Sequence, residues 1–510
     1  GGTTTTAGGT TTTAGGTTTT AGGTTTTAGG TTTTAGGTTT TAGGTTTTAA
    51  PDWQQMGADI DGEAAYDNSG YSVSLSSDGT IVAIGAVYND GTGSNAGHVR
   101  VYQYDSAKTT TVTDQTSSDY GPSGWRRLGA DINGEAVNDD SGWSVSLSSD
   151  GTIVAIGARL NDDTGVYAGH VRVYQYDSAK TTIVTDQTSS DFGPSGWRRL
   201  GGDIDGEAEG DQSGYSVSLS SDGSIVAIGA LSNNGAGTDA GHVRVYQYDS
   251  AKTTTVTDQT SSDFGPSGWR RLGADIDGEA ASDDSGRSVS LSSDGSIVAI
   301  GALSNNGAGT DAGHVRVYQY DSAKTTTVTD QTSSDYGPSG WRRLGADIDG
   351  EAASDYSGSV SLSSDGSIVA IGAVYNDGTG TNAGHVRVYE YDSAKTTTVT
   401  DQTSSDYGPS GWRRLGADID GEAAYDYSGW SVSLSSDGSI VAIGAYGNDG
   451  TGADAGHVRV YEYDSAKTTT VTDQTSSDYG PSGWRRLGAD IDGEAAYDYS
   501  GWSVSLSSDG

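Results

Sequence analysis

The chain has 510 residues, a formal net charge of -40 and a pI near 4.1. So negative a field repels phosphate backbones and excludes nucleic acid as a partner. With no cysteine, disulfides, thiolate metal sites and cysteine nucleophiles are excluded too.

Residues 1–49 are seven copies of GGTTTTA, followed by Ala50 and Pro51. Composition changes abruptly here, so residues 1–50 form one region and 51–510 another. Gly pairs are costly to order, and the tract has no large side chain to bury. It reads as a stalk or inter-subunit strap of up to roughly 160 Å when fully extended. Its Thr runs suit dense O-glycosylation, at Thr3, Thr4, Thr5, Thr6, Thr10, Thr11, Thr12, Thr13 and their equivalents. Residue 1 is Gly and no signal peptide is visible, which reads as a processed or partial product. No apolar run approaches the roughly 18 residues of a membrane span.

From Trp53 a 72-residue unit repeats almost letter for letter, with copies starting at Trp53, Trp125, Trp197, Trp269, Trp341, Trp412 and Trp484; the one irregular step, of 71, ends at Trp412. A period of this size means a repeat architecture. One copy predicts four short strands. The first is around Trp53–Gly57. The second, Tyr71–Ser76, alternates Val73 and Leu75 with serines, and Asp78-Gly79 then signals a hairpin turn. The third, Ile81–Ala86, is an apolar run suited to burial on both faces. A Gly/Asn/Asp loop leads to the fourth, His98–Tyr104, and a polar connection, Asp105–Gly124, reaches the next Trp. No segment has helical periodicity. Four strands per repeat with tight turns describe a propeller blade, and the predicted fold class is an all-β propeller. The copies supply seven Trp strands, seven SVSLS strands, six IVAIGA strands and six HVRVY strands. Six blades are therefore complete. The Trp53 strand and Ser503–Ser507 would be the outer and inner strands of a seventh. Either the sequence is cut short, or another chain completes that blade by strand addition.

The runs Ser69–Ala86 and Asn89–Asp105 resemble the FG-GAP-type propeller repeats of microbial and algal surface proteins, distantly similar to integrin α blades. Gly70 with an aromatic stands at the Phe-Gly position, and Ile84-Gly85-Ala86 at Gly-Ala-Pro. The resemblance covers residues 53–510. Arg287 replaces the aromatic in the fourth copy, and the fifth deletes it, leaving Ser357-Gly358-Ser359.

Four features are candidate sites. Asp59, Asp61, Glu63 and Asp67 recur as Asp203, Asp205, Glu207 and Asp211. Carboxylates at relative positions 1, 3, 5 and 9 resemble Ca²⁺ loops of integrin-like blades. The alternative is a polar turn whose carboxylates cap backbone N–H groups. One His per repeat, His98, His170, His242, His314, His385 and His457, begins the same strand and reads as a hydrogen-bonded structural residue. Arg126-Arg127 and its copies could stack on a sugar; ion pairing between adjacent blades is the plainer reading. The Thr/Ser cluster Lys108–Ser118 could carry O-glycans, whereas no Asn-X-Ser/Thr sequon occurs.

No nucleophile elbow, P-loop or zinc protease helix is present, so no enzyme is expected. The expected function is structural: an extracellular, glycosylated building block of a surface fibre or matrix. Subunits would associate with one another through open blade edges. The alternative is a cell-surface adhesion module that binds a glycan or protein, with Ca²⁺ as the one cofactor in view.

Overall fold

The computed structural model describes residues 53–510. The heptapeptide tract and its candidate threonines lie outside the described residues. The fold is all-β, a six-bladed propeller built from the 72-residue repeats. The described residues fall in two compact units. One holds Met56–Val458 with Asp492–Gly510. The other holds Arg459–Ile491 with Trp53–Gln55.

In the first unit each blade begins at an inner strand, such as Ser69–Leu75. Ile81–Ala86, His98–Tyr104 and Trp125–Arg127 follow antiparallel, in that order. A short fifth strand, Ile132–Asn133, pairs with the start of His98–Tyr104. The IVAIGA run is buried along its whole length, as its uninterrupted apolar character requires. His98–Tyr102 is buried on both faces too. The predicted strand at Trp53–Gly57 is not formed. Later Trp strands pair with the HVRVY strand before them, and Trp53 precedes the first HVRVY run.

The core lies between blades. Ile81, Val99 and Val101 of the first blade pack with Val145, Val154, Ile156, Tyr174 and Trp197 of the second. Trp197 is fully buried, and its indole N–H donates to the Leu128 carbonyl of the preceding outer strand at 2.9 Å. Gly85 is required by close approach. A Cβ there would meet the Gly142 carbonyl of the next blade at 2.2 Å, which explains the Ile-Gly-Ala pattern.

Hydrogen bonds around the axis close the inner strands into a ring of seven positions. The Leu147 amide donates to Ser74 Oγ at 3.0 Å, and the same bond recurs from blade to blade. It continues from Leu506 to Ser433 Oγ, and from Leu75 to Ser505 Oγ. A second circle runs through backbone groups, from the Ser77 amide to the Ser149 carbonyl and around to Ser508 and back to Ser77. Ser503–Ser507 therefore holds the seventh inner position between the sixth and first blades.

In the second unit, Tyr461–Tyr463 pairs antiparallel with Trp484–Arg486. Trp53 Nε1 donates to the Leu487 carbonyl at 3.2 Å, a latch like those of Trp125, Trp197, Trp269, Trp341 and Trp412.

Candidate functional site

The acidic candidates divide among separate partners. Asp203 accepts from Arg199 at 2.5 Å and from Arg172 at 3.1 Å. Glu207 pairs instead with Arg244 of the following blade. Asp211 caps the loop, accepting from the Glu207 and Ala208 amides and from Asn233. The loop thus ties one blade to the next. In the first copy Glu63 pairs with Arg100. Asp67 accepts from the Ala64 amide and Asn89 at 3.1 and 2.9 Å. Asp59 and Asp61 are exposed.

Each His stands beside this network. Glu207, His242 and Asp275 offer ligand atoms within 4.8 Å of one another, as do Glu63, His98 and Asp131. The Arg244 guanidinium binds both carboxylates of the former cluster, reaching Asp275 at 2.8 and 2.9 Å. Positive charge is therefore already supplied there. Burial pushes the His98, His242 and His385 imidazoles below their ordinary range.

The Arg pair also finds acidic partners. Arg126 pairs with Asp105 and Asp119 within its own blade rather than with an adjacent one. Arg127 pairs with Asp131 and lies 4.5 Å from the centre of the Tyr120 ring. In the connection, Lys108 Nζ donates to the carbonyls of Thr110, Gly121 and Pro122. Thr109, Thr110 and Thr111 remain exposed.

A further surface was missed in the sequence, although a comparison of the copies exposes it. SVSLSSDG, IVAIGA and HVRVY are identical in every copy that has them, whereas several short stretches diverge, among them the loop residues Ser94-Asn95, which become Val166-Tyr167, and three others. One is Tyr66 and Asn68, which become Asn138 and Asp140, then Gly210 and Gln212, and later Tyr425 and Tyr427. Another follows the IVAIGA strand: Val87-Tyr88, Arg159-Leu160, Leu303-Ser304, Val374-Tyr375 and Tyr446-Gly447. The last is the residue after the inner-strand glycine: Tyr71, Trp143, Tyr215, Arg287, Trp430 and Trp502.

The fold brings these stretches to one face, at the mouth of the channel inside the inner ring. The Asn138 amide donates to the Ser94 carbonyl, and the Tyr88 amide to the Asp67 carbonyl. The mouth residues sit on β-bulges. Register shifts between Ser69 and Ser72, and between Ser285 and Ser288, leave two residues unpaired. An unbroken series of rings runs from Tyr356 through Trp430, Trp502 and Tyr71 to Tyr215. Neighbouring centroids are 4.5–5.6 Å apart. Tyr66, Tyr425, Tyr497 and Tyr499 are exposed on the same face. The mouth encloses a cavity of about 270 Å³.

Two arginines complete it. Arg159 lies 3.4 Å from the centre of the Trp143 ring and pairs with Asp140 at 3.1 Å. Arg287 donates to the Tyr215 hydroxyl at 3.1 Å, with its guanidinium 5.6 Å from the Tyr215 ring and 5.5 Å from that of Trp430. Burial pushes the Asp140 and Asp284 carboxyls up.

An FG-GAP repeat family model matches residues 418–461. No curated protein matches the chain. Three solved structures align with most of the chain at low identity. The periplasmic gluconolactonase PpgL of Pseudomonas aeruginosa is 14% identical, with 82% of this chain and 86% of that chain covered and a TM-score of 0.39. Hydrazine synthase of Kuenenia stuttgartiensis is 13% identical, with 89% and 94% covered and a TM-score of 0.44. A putative 6-phosphogluconolactonase of Bacteroides uniformis is 10% identical, with 85% and 88% covered and a TM-score of 0.42.

Proposed function

We propose that this chain is a non-catalytic recognition propeller of a cell surface, binding a glycan or protein through its channel-mouth face. One observation carries the reading. In a chain copied almost letter for letter, the copies diverge where the fold gathers exposed aromatic rings. A constant frame with a variable aromatic face is how binding surfaces are built. Tyr and Trp give large contact area at small entropic cost, and exposed apolar patches mark interaction sites. The cell-surface setting rests on the resemblance to FG-GAP repeats of surface proteins. The acidic loops between blades serve as interblade ties, so Ca²⁺ has no part in this reading.

The test is an array of glycans and extracellular proteins probed with the whole chain and with Trp430→Ala/Tyr446→Ala. Specific binding that the double variant loses is expected. Binding that survives in that variant, or none at all, would refute the reading.

The fibre building block is the second reading. It is favoured by the exposed connection around Thr109–Thr111, which recurs nearly unchanged in each repeat and would offer the same contact several times over. Electron microscopy separates the two: isolated particles belong to recognition, and continuous filaments to the building block.

A further inference from the structure

Arg287 is set apart from the rest of the chain's arginines. Among the described residues every other arginine is ion-paired. Arg287 makes no ion pair; its guanidinium meets the Tyr215 hydroxyl and two aromatic faces. In a chain of net charge -40 a carboxylate partner would be easy to supply. Asp284 lies close enough to feel the Arg287 charge, but it accepts from the Ser304 hydroxyl at 2.8 Å and forms no ion pair with Arg287.

The neighbouring blade makes room for this side chain. The fifth copy is one residue shorter, and its bulge keeps Gly358 alone between Ser357 and Ser359. Gly358 carries no side chain at the bulge position between Arg287 of the fourth blade and Trp430 of the sixth, and Leu303 packs against it there. Arg287 crosses that position to lie near the Trp430 ring. The result is a recess lined by a flat indole, a phenol and an unpaired guanidinium, with Leu303 and Val374 beside them.

We propose that this recess binds one acidic sugar, a pyranose ring bearing a carboxylate or a sulfate ester. The proposal rests on the recognition reading and names its ligand. The C–H face of a pyranose ring packs on Trp430 as an apolar plate, while its anionic group takes the guanidinium fork. Arg presents donors in a planar fork that matches carboxylate and sulfate oxygens. The Tyr215 hydroxyl holds the fork in place. The whole mouth holds only about 270 Å³, which suits a terminal sugar seated at the recess rather than a chain threaded through the axis. The charge of the whole chain opposes an anion at long range. At physiological salt, screening sets in beyond about 8 Å, so the contact with Arg287 decides the outcome.

The test is titration calorimetry on the full chain with three probes of equal length: oligogalacturonate, its methyl ester and a sulfated neutral oligosaccharide. At least one anionic probe should bind about tenfold or more tighter than the ester, the scale of a hydrogen bond to a charged group. The tighter anion identifies the group. Arg287→Tyr installs the residue that the first and third copies carry there, so the bulge is kept. An unchanged melting curve will confirm that this variant folds, and its preference for anions should fall to about onefold. Equal binding of ester and anions would overturn the acidic-sugar assignment and leave the recognition face standing. So would a preference that survives in Arg287→Tyr. No binding by any of the three probes would overturn the assignment as well, and the array would then decide the face by itself.

Discussion

At the residue scale the chain shows how one motif supports two chemistries. Carboxylates spaced two and four apart suit a hard cation, and they suit a guanidinium equally when the fold delivers one. Here the third strand of each blade delivers it. Arg244 is 5% exposed and held by Glu207 from before its blade and by Asp275 from after it. Breaking such a pair from one side leaves carboxylates without their counter-charge, which is costly even though the intact pair adds little net stability. Arg244→Gln is therefore expected to destabilise the propeller by about 3 kcal/mol in urea unfolding. A loss below about 1 kcal/mol, the scale of an exposed pair, would show that water reaches the site and that the tie is ornamental.

At the element scale the outer strand does more than finish a blade. It is only three residues long, yet its Trp spans to the previous outer strand and becomes the best-buried side chain at the interface. Trp269 is fully buried, with its indole N–H 2.8 Å from the Leu200 carbonyl. Trp269→Phe keeps an aromatic ring but leaves that buried carbonyl without its donor. It should cost about 1–3 kcal/mol, read as a lower urea midpoint at unchanged slope. A fall in the slope would instead mean that the blades no longer unfold together. The main strands were legible because IVAIGA and HVRVY carry their own apolar pattern and the Asp-Gly turn separates them from SVSLS. The short strand at Ile132–Asn133 was not, because a two-residue strand has no periodicity and its acidic flanks read as ligands. The bulge at Tyr71 was hidden for another reason. Within one copy it continues the alternation of Val73 and Leu75, so an aromatic there looks like part of the strand. Only the substitution by Arg287 and the deletion in the fifth copy mark it as a position free of the packing that holds its neighbours constant.

At the scale of the whole molecule, the inner ring settles how a repeat protein with six blades closes. The seven-position circle uses serine hydroxyls as acceptors for the backbone amides of the next inner strand. The seam, where Leu75 donates to Ser505 Oγ at 3.1 Å, is chemically the same as the internal joint where Leu147 donates to Ser74 Oγ at 3.0 Å. This equivalence can be measured. Ser74→Ala removes an internal acceptor, and Ser505→Ala removes the seam's. Each deletion leaves one amide without its side-chain acceptor and should cost about 1 kcal/mol. In hydrogen exchange the Leu147 amide should lose protection in the first variant, and the Leu75 amide should lose as much in the second. If the Leu75 amide already exchanges freely in the unaltered protein while Leu147 is protected, the seam is open in solution. The inner segment Ser503–Ser507 would then be docked rather than built in, and Tyr71 and Trp502, whose rings lie 5.5 Å apart across that seam, would part with it. The channel mouth would gain a gap on that side, so the closed seam is a condition for the aromatic face as well as for the ring.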